Sequence, residues 1–214
     1  MLGRRACSTG GAVNLAPSIE IDTPFEPLVR RIIDEAHVEN DRILKIDHFL
    51  NHRIEPDFMA AMGTAMAERI ARFNPDLLLT AEASGIAPAL ATAYALHIPL
   101  VYAKKYSPVV EPPALSRVVP SPTKGGDTRL VIAARYLEAG ARVAIIDDFL
   151  ANGRTAVALA EIVADAGAHT VVAGFLVEKL FQEGRAGLER LGIPVATLAQ
   201  VRKLENGRVI MAGH

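Results

Sequence analysis

The chain has 214 residues, half of them apolar, enough for a single core in one α/β domain, or in one domain with a small appendage. Lys and Arg number 23 against 24 Asp and Glu, a formal net charge of −1, so no basic footprint for nucleic acid or anionic lipid is present. The one cysteine, Cys7, excludes an intrachain disulfide and fits a reducing cytoplasm.

Met1 to Ala16 contains Arg4 and Arg5 but no sustained apolar run, so it makes a poor secretion signal. Residues 1–24 are expected to be a disordered extension ahead of one domain over 25–214. Pro27 to Ala36 has apolar residues at helical spacing, and an arm occupies about residues 40–56. Asp57 to Phe73 reads as a helix with Pro56 just ahead of it. Asp76 to Thr80 reads as a strand, followed by the turn Glu82-Ala83-Ser84-Gly85, a helix to about Leu96 and a strand over Pro99 to Ala103. Ala83 to Ala103 is long enough to span a bilayer, but Ser84, Gly85, Pro88, His97 and Pro99 divide it into loop, buried helix and strand.

The prolines and the Gly125-Gly126 pair between Lys104 and Arg129 mark a long loop over about 106–128, a functional or disordered segment or an ordinary surface excursion. Strands follow at Leu130 to Ala134, Val143 to Ile146, Thr170 to Val177 and Val195 to Val201. Helices are expected from about Gly153 to Ala166 and from Gly184 to Leu191. Alternating strands and helices imply a mainly parallel sheet with right-handed crossovers.

The most informative stretch is Val143 to Ala156. An apolar strand ends in Asp147 and Asp148, and the turn Ala151-Asn152-Gly153-Arg154-Thr155 leads into a helix. Ligands of open α/β sheets collect at the carboxyl ends of strands, and a helix N-terminus there is an anion site. Carboxylates suit a sugar diol and the helix end suits a phosphate, which together describe a ribose 5-phosphate. The plain alternative is a solvated acidic turn. A receiver domain would carry its acidic pair near the start of the chain, and no Gly-Lys-Ser/Thr follows the strand as a Walker loop requires.

This stretch resembles the phosphoribosyl-pyrophosphate (PRPP) motif of type I phosphoribosyltransferases, with Asn152-Gly153-Arg154-Thr155 where many members carry Thr-Gly-Gly-Thr. The resemblance implies that fold, with a small hood formed by the N-terminal arm and the C-terminal strands. It implies that Asp147 and Asp148 hold the ribose hydroxyls and favour the cationic transition state, while Ala151, Asn152, Gly153, Arg154 and Thr155 hold PRPP by its 5′-phosphate. Glu82-Ala83-Ser84-Gly85-Ile86 resembles the family's pyrophosphate loop. Ser84 and Gly85 would then meet pyrophosphate with Lys104 and Lys105, which end the next strand, although an ordinary turn and a solvated basic pair are the alternatives. The resemblance also implies that the loop over about 106–128 is mobile and that its Lys124 joins the catalytic set. Mg²⁺ is implied with PRPP, held mainly through PRPP and water, with no direct protein ligand.

The arm Ile43-Leu-Lys-Ile-Asp-His-Phe-Leu-Asn-His-Arg-Ile-Glu-Pro56, taken with Phe149 to Gly153 and Val177-Glu-Lys179, is similar to bacterial xanthine phosphoribosyltransferases. That likeness implies that Leu44, Asn51, Phe149 and Lys179 contact the purine, and that the product is xanthosine 5′-monophosphate. It also implies a cytoplasmic homodimer. A guanine or hypoxanthine enzyme is the nearest alternative, and a non-catalytic PRPP-sensing regulatory protein is the rival from another class. His48, His52 and His97 have no paired ligand spacing and read as surface or core histidines.

Overall fold

The computed structural model describes residues 22–105, 113–120 and 127–213. Helix α1 (Glu26–Glu35) has proline in its first turn and buries Leu28, Val29 and Ile32. Strands β1 (His37–Glu39) and β2 (Ile43–Lys45) form an antiparallel hairpin. Asn40 and Asp41 turn it at positive φ, a conformation that short polar side chains tolerate. The arm then buries Ile46, Phe49 and Leu50 before α2 (Pro56–Ile70). Arg31 clamps this arm: its guanidinium lies 4.5 Å from the Phe49 ring centroid and reaches Glu55 with two hydrogen bonds of 2.5 and 2.8 Å.

Next come β3 (Leu77–Ala81), α3 (Ile86–Leu96), β4 (Leu100–Ala103), β5 (Ala114–Pro120) and β6 (Asp127–Ala133). They are followed by β7 (Arg142–Leu150), α4 (Arg154–Asp165), β8 (His169–Lys179), α5 (Gly184–Glu189), β9 (Val195–Glu205) and β10 (Arg208–Met211). The main sheet has the order β10-β9-β8-β7-β3-β4. Every pairing is parallel except β9 with the edge strand β10. Along β7 the side chains alternate: Ala144 and Ile146 enter the core shared with α1, α2 and α3, while Val143 and Ile145 enter the core under α4. That period of two is what a strand covered on both faces must show.

The long loop expected over 106–128 is in part a hairpin. Ala114 to Pro120 pairs antiparallel with Asp127 to Ala133. Two of the prolines stand at the strand ends, Pro113 just before β5 and Pro120 as its last residue, where they interrupt little of the ladder. Val119, Leu130 and Ile132 pack under α4, and Arg117 bonds Glu161 at 3.0 Å and Asp165 at 2.6 Å. Residues 106–112 and 121–126, including the expected catalytic Lys124, lie outside the described residues.

Two further expectations change. The motif strand does not stop at Ile146: pairing with β8 continues through Phe149↔Val177 and Leu150↔Glu178, so the acidic pair lies within β7. The extension expected to be disordered to residue 24 is held at its last residues. Asp22 accepts hydrogen bonds from the Thr197 N–H and hydroxyl, and the carbonyl of Thr23 accepts one from Arg69. Residues 1–21 lie outside the described set.

Candidate active site

Strand β7 runs between β3 and β8, so its carboxyl end is flanked by the ends of both neighbours. Asp148 is 6 % exposed. Its Oδ2 accepts from Asn51 Nδ2 at 2.7 Å, and its Oδ1 accepts from Ser84 Oγ at 3.2 Å and from the Phe149 N–H at 3.0 Å. A buried carboxylate needs such donors. Arm, turn and motif strand therefore meet on one side chain. Asp147 Oδ1 accepts from the Asp148 N–H at 2.9 Å. Loss of water around Asp147, and then the charge of Asp148 beside it, push the Asp147 carboxyl well above the usual carboxylate range, while Lys105 pulls the other way.

Gly85 is required at the turn for a reason the sequence does not show. A Cβ there would overlap the Thr80 hydroxyl and lie 2.5 Å from Asp147 Oδ1. The turn is thus pressed against the acidic pair. Its Glu82–Ala83 peptide is cis, and the Glu82 carboxylate accepts from the Lys105 N–H. Lys104 pairs through its backbone with Val131 at 2.9 and 3.0 Å, linking β4 to the hairpin. Ser84, Gly85, Lys104 and Lys105 therefore belong to two connected loops at the same sheet edge as the acidic pair.

The loop after β7 turns at Gly153, whose φ is +72°. A Cβ on it would stand 2.8 Å from Gly184 Cα, so both the conformation and the space call for glycine. The first intrahelical bond of α4 runs from the Val157 N–H to the Gly153 carbonyl. The first-turn N–H groups of α4 have no acceptor within the helix, which is what an anion site offers. Ala151 to Ala156 line a cleft of about 140 Å³ with Asp147, Phe149 and Phe175. Val119 and Pro120 of the hairpin form its other wall, a contribution hidden while that segment was read as loop. Asn152 and Arg154 are exposed, and Thr155 is half-buried.

Lys179 ends β8, with its Nζ 5.5 Å from the Phe149 ring centroid. Burial pushes its ammonium below the usual range. Among the described residues it has no ion-pair partner. Leu44 is 7 % exposed and packs in the core that Phe149 also touches, so it shapes the arm and offers a ligand little surface. Asn51 reaches the acidic pair directly. Sequence reasoning missed Arg31, the buried and unpartnered Thr80 hydroxyl, and the ion pair of Glu178 with Arg185. None of these has a periodic or motif signal.

Among the described residues, no group of three His, Cys, Asp or Glu is arranged to hold a metal ion. The oxygen-only donors at the acidic pair fit a hard cation that keeps several waters and binds mainly through a substrate phosphate.

An acidic pair, a glycine turn and a helix N-terminus at the carboxyl edge of a parallel sheet define an α/β site for a phosphorylated sugar. Residues 51–198 match the phosphoribosyl transferase domain family. Over 190 residues the chain is 59% identical to the xanthine phosphoribosyltransferase of Chloroflexus aurantiacus, covering 89% of this chain and 90% of that one. It is 43% identical to the xanthine phosphoribosyltransferase of Deinococcus deserti over 87% of this chain and 98% of that one. The adenine phosphoribosyltransferase structure from Thermoanaerobacter pseudethanolicus superimposes with a TM-score of 0.61 at 27% identity, over 68% of this chain and 82% of that one. The chain belongs to the phosphoribosyltransferase family, among relatives that are xanthine phosphoribosyltransferases.

Proposed function

We propose that the protein transfers the phosphoribosyl group of PRPP to xanthine, giving xanthosine 5′-monophosphate and pyrophosphate. The observation that carries the choice of base is Lys179, a half-buried cation over the Phe149 ring with no carboxylate partner among the described residues. Xanthine has two carbonyl oxygens and loses a proton near neutral pH, so a donor-only ammonium suits it better than it suits adenine.

In the reaction the bond from the anomeric carbon to the pyrophosphate oxygen breaks, and a purine nitrogen bonds to that carbon from the opposite face. Positive charge builds on the ribose ring in between, as in glycoside cleavage. Asp147 and Asp148 would hold the ribose hydroxyls and stabilise that charge. The first-turn N–H groups of α4 with the Thr155 hydroxyl would hold the 5′-phosphate. Ser84, Gly85 and the Lys104-Lys105 pair would receive pyrophosphate, the lysines as point charges. Mg²⁺ bound with PRPP would neutralise phosphate charge, held mainly through PRPP and water.

The same reading carries a homodimer in the cytoplasm, supported by likeness to the xanthine enzymes. Among the described residues no helix is long and apolar enough to cross a membrane. A panel of xanthine, guanine, hypoxanthine and adenine with PRPP and Mg²⁺, scored by nucleotide formed, tests the proposal. Preference for guanine or hypoxanthine would reassign the base, and no nucleotide from any of them would remove the activity.

A further inference from the structure

We infer that Arg185 is a positioning residue for the transfer: through Glu178 it holds the base-contacting end of β8 and the phosphate loop in one fixed relation. The inference rests on the roles given above to Lys179 and to the loop over 151–155. Arg185 does not line the phosphate cleft.

Glu178 immediately precedes Lys179 and its side chain is only 2% exposed. Its Oε1 accepts from Arg185 Nε at 2.8 Å, and its Oε2 accepts from Arg185 Nη2 at 2.6 Å and from the buried Gln200 Nε2 at 2.8 Å. The guanidinium thus grips both carboxylate oxygens. Its own helix, α5, starts at Gly184, whose N–H donates to the Ala151 carbonyl of the phosphate loop at 3.0 Å. Gly184 also packs so close to Gly153 that a Cβ on Gly153 would collide with it. One side chain therefore links the residue before Lys179 to the backbone that supports Gly153.

A third strand of the cage comes from the start of the domain. Arg185 Nη2 lies 3.3 Å from Asp22 Oδ2, which also accepts from the Thr197 N–H at 2.9 Å and the Thr197 hydroxyl at 2.6 Å. The Asp22 N–H donates to Gln200 Oε1 at 3.0 Å.

Stability alone is a weak reason for this arrangement, because apolar residues of similar volume often replace a buried ion pair without loss. Geometry is the stronger reason. A planar guanidinium bonded to both carboxylate oxygens fixes orientation as a lysine ammonium cannot. The reaction is sensitive to such placement, since about 1 Å of displacement can cost about a hundredfold in rate.

The test compares the parent with Arg185→Lys and with the double variant Glu178→Met/Arg185→Met, using thermal unfolding and steady-state kinetics in both xanthine and PRPP. The double variant removes the buried pair together; Asp22 keeps its two bonds from Thr197 while Gln200 loses an acceptor, so the variant should fold and melt somewhat below the parent. Its KM values for xanthine and for PRPP should both rise by about tenfold, although Arg185 does not line the phosphate cleft. Arg185→Lys should fold and show a smaller rise in both. Parent-like KM values in a folded double variant would reduce the cluster to a structural role and overturn the inference. If the double variant does not fold, Arg185→Lys decides, and parent-like KM values there overturn it equally. Should the parent itself make no nucleotide from xanthine, the purine reading has failed instead. PRPP titration by calorimetry then tests the phosphate half alone, weaker binding by Arg185→Lys supporting it and unchanged binding overturning it.

Discussion

Asn51 donates from Nδ2 to Asp148 Oδ2 at 2.7 Å, joining the arm to the acidic pair across 97 positions of sequence. Because a carboxylate only accepts, the amide must turn its nitrogen to Asp148, which leaves its carbonyl oxygen for another donor. The residue assigned to the base by likeness thus also supports the acidic pair. With Ser84 bonded to the same carboxylate, the residues proposed for purine, ribose and pyrophosphate meet on one buried side chain.

Asn51→Ala should therefore raise the KM for PRPP as well as that for xanthine. Hydrogen bonds to charged groups contribute about 1.5–3 kcal/mol, so a rise of about tenfold or more in each is expected. Steady-state kinetics in both substrates check this. A rise confined to xanthine would mean that Asn51 serves the base and that its bond to Asp148 carries no function.

Asp147→Asn should lower turnover by about 10²–10³, the usual cost of losing a preorganised electrostatic group, while making the folded protein more stable at neutral pH. The folded carboxyl has a raised pKa, first from desolvation and then from Asp148. The native state therefore keeps its proton over a range where the unfolded chain, with an ordinary carboxylate pKa of about 3.9, has released it. Stability from the protonated form is present below that ordinary value and is lost as pH rises through the raised one. The asparagine variant should lose this slope. Thermal midpoints from acid to mildly alkaline pH decide it: a variant less stable than the parent at alkaline pH would contradict a destabilising Asp147 carboxylate.

Lys179→Ala should raise the KM for xanthine more than that for hypoxanthine, which lacks the second carbonyl. A buried acceptor left unpaired costs about 1–3 kcal/mol. PRPP affinity should stay close to the parent's. Equal losses for the two bases would place Lys179 against an atom they share.

What could be read from the sequence follows what is local. The β7 motif, the glycine turn after β3 and the alternation of strands and helices each show within a dozen or so residues, and the structure places them at one sheet edge. The β5–β6 pairing was hidden because the prolines and glycines of this stretch of sequence read as a loop, while the contacts of Arg117 and Val119 that fasten β5 to α4 form only in the fold. The cage around Glu178 was hidden for a related reason: Asp22, Arg185 and Gln200 are brought together only by the sheet order. Gly85, expected from the resemblance to meet pyrophosphate, also makes room for Thr80 and Asp147, neighbours that only the fold brings to it.

The hairpin supports a final prediction. Val119 and Pro120 form one wall of the cleft proposed for the 5′-phosphate, and Arg117, two residues before Val119 on β5, fastens that strand to α4 through Glu161 and Asp165. Arg117→Ala removes both contacts without touching the acidic pair or the loop over 151–155. The wall should then loosen, raising the KM for PRPP a few-fold and leaving the KM for xanthine near the parent's. These ion pairs face solvent, so salt screens them. The gap between variant and parent should accordingly narrow as ionic strength rises. Kinetics in PRPP at low and high salt, with both proteins compared at each, measure this directly. A variant indistinguishable from the parent at low salt would mean that the hairpin keeps its place by apolar packing under α4 alone.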